Sequence, residues 1–242
     1  KNHRLWIRYS SEKLEARLGV QKIVFGPSQI LRTLSWFDTI DLKDPTNQTD
    51  GVDAFRIKWF PSNSISIWSW AIQNEQDTLS FGGRAEVSSS FGEFGFTFHS
   101  DPSKTPQKLG QLGLVVSEPH RRFAFDIRHD GFVGSWLETA LITSENSEIK
   151  MLTVGADYTL PISNGILIMT ESMFIKNEDT DNQTFTAFMA MLPLGMVHSV
   201  LFITQFDFNE NRNYSYFRWS ATFDKYSLNL LLSQSPKRVE YD

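Results

Sequence analysis

Apolar and polar residues alternate one for one in Leu14-Glu15-Ala16-Arg17-Leu18-Gly19-Val20-Gln21, with Leu14, Ala16, Leu18 and Val20 on one side and Glu15, Arg17 and Gln21 on the other. A period of two marks a β-strand with unlike faces. The alternation stops between Gly26-Pro27 and Asp50-Gly51, a stretch rich in Asp, Thr and Pro. It returns in residues 53–59, where Phe55, Ile57 and Trp59 oppose Arg56 and Lys58. The same rhythm recurs along the rest of the chain. It predicts fourteen strands, over residues 4–9, 14–25, 52–60, 65–72, 82–88, 93–100, 122–129, 133–142, 151–160, 166–175, 185–192, 197–208, 214–223 and 228–232. Turn signals separate them, the clearest being Ser163-Asn164-Gly165. No helical stripe exceeds two turns, so the expectation is an all-β chain forming one domain over residues 1–242.

Strands with one apolar and one polar face suit two architectures. In a soluble sandwich the apolar face meets the core; in a membrane barrel it meets lipid and the polar face lines the lumen. Two features favour the barrel. Connections are expected to alternate between short turns at one end and long loops at the other, the asymmetry of outer-membrane barrels, whereas sandwiches scatter long crossovers between both ends. Charge also collects on the polar faces, at Arg8, Glu15, Arg17, Arg56, Lys58, Arg84, Glu86, Arg122, Asp126, Arg128, Glu138, Asp157, Glu171, Asp207 and Arg218. The expected fold is therefore an antiparallel transmembrane β-barrel with about fourteen strands in this chain. With its long loops extracellular, both chain ends fall outside, so at least one further strand is expected at each end and a complete barrel of sixteen or more.

Composition fits this picture. Apolar residues make up 40% of the 242 and mean hydropathy is −0.28. No apolar run approaches the ~20 residues of a membrane helix, and residues 188–192 end at Pro193. Barrels escape that test because half of their strand residues face water. Aromatic content of 14% suits an interfacial girdle, and a net charge of −5 argues against nucleic acid as a partner. The absence of cysteine is unremarkable for a chain crossing an oxidising compartment. The stretch from Lys1 carries no signal-peptide pattern, as expected of a mature or trimmed chain.

Several short stretches carry a family resemblance: Arg17-Leu18-Gly19-Val20-Gln21-Lys22-Ile23 with Phe25-Gly26, Trp36-Phe37-Asp38 with Asp41 and Asp44-Pro45, and Thr49-Asp50-Gly51-Val52. Gly82-Gly83-Arg84, Gly92-Glu93, Gly155-Ala156-Asp157-Tyr158 and Gly165 follow. On these the chain resembles outer-membrane β-barrels of Bacteroidota and is distantly similar to alginate-export-type porins. The resemblance implies a large antiparallel barrel with a polar, Arg-containing interior that passes solutes. Alginate-type export would want a strongly basic lumen, whereas the inward charges here are mixed.

The lumen set is Glu15, Arg17, Arg56, Lys58, Arg84, Glu86, Arg122, Asp126, Arg128, Asp157, Glu171 and Arg218. Its basic members suit the wall of a pore constriction; equally, they suit a structural network paired with Glu15, Glu86, Asp126, Asp157 and Glu171. Outward aromatics expected against lipid are Phe55, Trp59, Trp68, Trp70, Phe94, Phe96, Phe98, Phe123, Phe125, Phe217 and Trp219. Asp38, Asp41, Asp44, Asp50 and Asp53 offer oxygen ligands suited to Ca²⁺, but without EF-hand spacing; turn formation in a solvated loop is the simpler role. His99, Asp101 and His120 are expected near the outer rim, where a barrel hydrolase would hold a base. No G-x-S-x-G or H-E-x-x-H motif accompanies them. Asp38-Thr39-Ile40 and Asp77-Thr78-Leu79 match a three-residue O-glycosylation acceptor pattern at Thr39 and Thr78. The expectation is a porin-like channel for hydrophilic solutes in a bacterial outer membrane, non-enzymatic and without a cofactor, in contact with outer-membrane lipids. The alternative is a closed, non-catalytic barrel subunit bound to other outer-membrane proteins.

Overall fold

A computed structural model of the chain describes residues 4–38, 40, 49, 51–73, 78–104, 107–109, 114–178 and 181–236. Sixteen strands occur there: β1 (Leu5–Ser10), β2 (Leu14–Gln21), β3 (Val52–Ser62), β4 (Ile65–Gln73), β5 (Leu79–Ser88), β6 (Glu93–Asp101), β7 (Gln107–Leu109), β8 (Leu114–Val116), β9 (His120–Asp130), β10 (Gly134–Thr143), β11 (Glu148–Leu160), β12 (Ile166–Asn177), β13 (Gln183–Leu194), β14 (His198–Asp207), β15 (Arg212–Thr222) and β16 (Ser227–Gln234). Fourteen of them form one antiparallel sheet in chain order, and β7 and β8 form a separate hairpin between β6 and β9. No helix occurs among the described residues. A single up-and-down sheet excludes the two-sheet sandwich. The sheet is not closed: β1 and β16 are its two edges.

Only the connections 22–51 and 102–119 are long, and the rest run from two to five residues at both ends. The expected series of long loops is corrected accordingly. The strands run further than their apolar alternation, as in β11 from Glu148 and β12 to Asn177. Ladder hydrogen bonds come from the main chain, so polar residues extend a strand without contributing to its apolar face. In the other direction, β2 stops at Gln21 rather than Phe25, where the Gln21 amide donates to the Ala54 carbonyl at 2.8 Å. At the end of β3 the register against β4 shifts around Pro61, which has no N–H for the ladder.

One face of the sheet is covered and is called inner here. Segment 22–38 lies on it, with Ile23, Phe25, Ile30, Leu31, Leu34 and Trp36 all buried. Phe25 stacks on Trp70 of β4 at 5.8 Å between ring centroids, while the neighbouring Gly26 lies against Glu138 of β10. Those strands stand four steps apart, roughly 19 Å across a flat sheet, so the sheet curls round the segment. The expectation of an outward solvated loop beginning at Gly26 is overturned through residue 38. Six large apolar side chains within residues 23–36 find on the inner face the burial that solvent denies them.

The inner face is furnished with glycines where bulk must fit. Trp6 pairs in register with Gly19, Trp70 with Gly82 and Trp136 with Gly155. Trp70 and Trp68 thus point inward, which corrects their expected lipid-facing placement. β4 is apolar on both faces, Ile65, Ile67 and Ala71 on one and Trp68, Trp70 and Ile72 on the other, so alternation alone does not orient it. A Cβ on Gly82 would stand 2.6 Å from the Trp70 ring and from the Phe98 carbonyl. Gly82→Val is therefore expected to cost about 1–3 kcal/mol through overpacking, read as a lower chemical-denaturation midpoint. Parental stability would mean that Trp70 is not seated there.

Candidate functional site

Two carboxylates inside the sheet organise segment 22–38. Glu171 of β12 accepts three main-chain N–H groups, from Gln29 at 2.7 Å, Ile30 at 2.9 Å and Leu31 at 2.6 Å. Glu138 of β10 accepts those of Ser28 at 2.8 Å and Leu34 at 3.2 Å. Between them Thr153 of β11 donates to the Leu31 carbonyl at 3.0 Å and meets the Thr33 hydroxyl at 2.8 Å. These three inner-face side chains are fully buried. A tight irregular turn leaves N–H groups without ladder partners, and such groups must be satisfied when buried. Gly26, at φ +89°, turns the chain against Glu138, where a side chain would collide. Within the segment Arg32 forms a two-pronged pair with Asp38 and donates from Nε to the Ser28 carbonyl at 3.2 Å.

Beside this anchor the charges of β1–β11 fall into linked groups. Glu15 takes Arg17 at 2.8 Å and Arg56 at 3.1 Å, with Arg8 at 3.9 Å. Glu86 takes Lys58 at 3.4 Å, Arg84 at 2.9 Å, the Ser66 hydroxyl at 2.6 Å and the Trp68 indole at 3.1 Å. Arg84 forks onto Asp126 at 2.6 and 2.9 Å, in space left by Gly95, and its guanidinium lies 5.3 Å from the Phe25 ring. Arg128 reaches Asp130 at 2.8 Å and Asp157 at 3.4 Å while stacking over Trp136. Planar bidentate pairing of this kind fixes guanidinium orientation as well as charge.

The expected lumen residues therefore share one face, but not one role. Glu15, Arg17, Arg56, Lys58, Arg84, Glu86, Asp126, Arg128 and Asp157 form the ion-pair groups. Glu171 does not belong to them, because the segment's amides occupy it; its expected pairing with an arginine is corrected. Arg122 packs over Trp36 and Phe37 at 5.6 and 5.9 Å from the ring centroids and donates to His120 at 2.9 Å. Arg218 lies half-buried on the inner face of β15, opposite Leu201 and Leu231.

The three residues expected near the rim lie at the ends of β6 and β9 that flank the connection 102–119, with Asp101 paired in register with His120. His99, Asp101 and His120 are buried on the inner face. His99 accepts the Trp70 indole N–H at 3.2 Å and meets the Phe37 ring at 4.8 Å. His120, accepting from Arg122 on Nε2, turns Nδ1 to the Glu118 carbonyl at 2.9 Å. Neither imidazole faces a hydroxyl nucleophile in these contacts. Of the loop acids, Asp38 is buried with Arg32 and Asp53 is exposed on the outer face. Asp41, Asp44 and Asp50 lie outside the described residues, as does Thr39; Thr78 is half-buried just before β5. No group of three His, Asp or Glu residues arranged to hold a metal occurs among the described residues. In the connection before β9, the Asn146 amide donates to Glu118 at 2.7 Å and holds that carboxyl below the ordinary carboxylate range.

The opposite, outer face carries Phe55, Trp59, Phe94, Phe96, Phe98, Phe123, Phe125, Phe217 and Trp219. Phe96 is 54% exposed and Trp59 47%. Phe96 pairs with Phe125 at 5.0 Å and Phe98 with Phe123 at 5.1 Å between ring centroids. At the end away from the two long connections aromatic rings gather in contact, Phe91 with Phe94, Phe132 with Tyr158, and His198 with Trp219. At the other end the outer face closes on Asp53, Gln73, Arg121, Lys150 and Lys176. Outer-face hydroxyls on β12–β15 are paired, Ser172 with Thr186 at 2.9 Å and Thr204 with Ser215 at 3.2 Å.

Glu171→Ala removes the acceptor of three N–H groups at once. Hydrogen bonds to a charged group are worth about 1.5–3 kcal/mol each, so hydrogen-exchange protection at Ile30 and Leu31 is expected to fall on the order of a hundredfold. Unchanged protection would mean that apolar packing alone holds the segment. No family model and no curated protein matches the chain.

Proposed function

We propose that the chain forms the wall of a porin-like outer-membrane β-barrel whose interior is occluded at rest by segment 22–38. The observation that carries this reading is the inverted distribution of polarity: the outer face is a broad exposed apolar surface, and the inner face holds the buried ions. On β11, Lys150 and Tyr158 bound the apolar outer residues Leu152, Val154 and Ala156. Eight steps of about 3.4 Å, tilted by ~40°, give a height of roughly 20 Å, close to the apolar band of outer-membrane barrels at ~25 Å. Aromatic rings at one border and charged residues at the other match the two interfaces of such a band. The paired hydroxyls of β12–β15 satisfy one another, as a lipid environment requires. The resemblance to Bacteroidota outer-membrane barrels adds to this reading, and β1 and β16 then join directly or through further strands.

Within this reading the segment is the barrier. Hydrophilic solutes pass only when Glu138 and Glu171 release it, along a path lined by the ion-pair groups of β1–β11. The second reading, a permanently closed subunit of a larger outer-membrane assembly, is favoured by one observation: most of the inner charges already have partners. Planar-bilayer recording of the full chain separates the two. The parent is expected to give rare, small openings, and Glu138→Ala with Glu171→Ala frequent larger ones. Silence of both proteins would favour the closed subunit.

Membrane insertion has its own test. Phe96→Arg places a cation in the middle of the outer face and is expected to cost about 2–4 kcal/mol of folding stability in a bilayer. Its refolding yield into vesicles should fall while the parent inserts. A Phe96→Arg chain that folds and stays monodisperse in plain buffer would overturn the membrane reading.

A further inference from the structure

The outer face carries a hollow that the occlusion of the interior does not use. It has a volume of about 700 Å³ and is walled by Phe96, Phe98, Phe123, Phe125 and Leu141, with Lys150 at its loop-end mouth. It exists because two outer positions lack bulk, Gly83 on β5 next to Phe98 and Thr139 on β10 next to Phe125. A second hollow of about 320 Å³ adjoins it across Lys150, bordered by Phe174, Lys176 and Gln183. The two share Lys150, so an apolar trough leads to a polar mouth.

The cations at that mouth are arranged against one another. Lys150 and Lys176 are direct cross-strand partners in the β11–β12 register. Like charges directly opposite on one sheet face are destabilising. Lys150 leans to Glu148 on its own strand, with Glu178 two residues past Lys176. Lys176 and, across β10, Arg121 make no ion pair among the described residues. An anion placed between the lysines would give Lys176 the partner that Lys150 already has in Glu148. A chain attached to that anion would lie in the phenylalanine trough.

We propose that this trough is a specific site for one phosphate-bearing membrane lipid, its phosphate between Lys150 and Lys176 and an acyl chain along Phe98, Phe123 and Leu141. The site rests on the membrane reading above. It adds a ligand class at the loop-end border of the apolar band, where cations meet headgroups. The phenylalanine pairs give the chain a wall of fixed shape, so binding selects by headgroup at the mouth and by acyl chain in the trough.

The test uses the full chain incubated with vesicles of phosphatidylcholine and phosphatidylglycerol in equal amounts. Flotation is followed by gentle detergent extraction and native mass spectrometry of retained lipid. The parent is expected to retain phosphatidylglycerol over phosphatidylcholine by about tenfold or more. Lys150→Ala with Lys176→Ala should bring that ratio to near one. Both changes are at surface side chains, and Lys176→Gln alone gives a milder variant expected to fall between. Leu141→Trp, which fills the trough, should lower retention of both lipids. Equal retention by the parent, or a preference unchanged in the double variant, would overturn the site. A chain that floats without preference overturns the site alone; one that stays in the aqueous phase overturns the membrane reading with it.

Discussion

Two carboxylates that receive main-chain amides hold the inner half of this molecule together. Glu138 and Glu171 between them take five N–H groups from residues 28–34. A buried carboxylate is costly unless its lone pairs are filled. An irregular segment placed away from water is costly unless its N–H groups are filled. Each solves the other's problem. Since the segment leaves β2 and is received on β10–β12, this exchange draws distant strands of the sheet towards one another. The curl of the sheet and the burial of Trp36 and His99, with Phe37 packed against them, follow from it.

The inner face divides to suit what it receives. From β1 to β11 it carries nearly all of the inner charges, set among Trp68, Trp70, Trp136 and other uncharged residues, and cross-strand pairs join many of those charges. From β12 to β14 it is apolar, with Met169, Met173, Met189, Leu201 and Ile203 all buried. Methionine accommodates irregular surfaces through its unbranched, polarisable side chain, and an irregular segment lies beside these strands. Glu171 is the single charge on the inner row of β12, between Met169 and Met173. Removing its partners would therefore strand an ion in an apolar wall, which makes the docked position of the segment strongly preferred.

Much of this was legible in the sequence. Alternation of period two located fourteen strands and sorted Phe96, Phe98, Phe123 and Phe125 from Arg84, Arg122 and Asp126, because each strand has two unlike faces. It failed where both faces are apolar, as in β4, since Trp68 and Trp70 carry no sign of which side they take; only the register with Arg84 and Gly82 settles it. The docking of segment 22–38 was missed because Pro27, Ser28 and Asp38 read as loop chemistry. The signal that could have found it was apolar density: Ile23, Phe25, Ile30, Leu31, Leu34 and Trp36 are too many for a solvated loop. Glu138 and Glu171 carried a second signal, being acids on inner rows whose other members are mostly Trp, Ala, Ile and Met. His99 and His120 stand where the alternation put them, at the ends of β6 and β9 that flank the long connection; what it could not show is that the docked segment covers His99, with Phe37 against its ring.

The edges carry the argument one step further. Soluble sheets blunt an exposed edge with charge, proline or a bulge. β16, Ser-Leu-Asn-Leu-Leu-Leu-Ser-Gln, has none of these, and β1 has only Arg8. Both instead keep much of the alternation of the interior strands, Leu228, Leu230 and Leu232 outward against Asn229, Leu231 and Ser233, and Leu5, Ile7 and Tyr9 outward against Trp6 and Arg8. An even number of antiparallel strands leaves its first and last members running in opposite directions, so the two edges can pair with one another or through added pairs of strands without breaking the pattern. On the proposed membrane reading such pairing is required, because an open row of N–H and C=O groups finds no partner in hydrocarbon. Edges that keep two unlike faces and carry almost no charge are what that requirement selects.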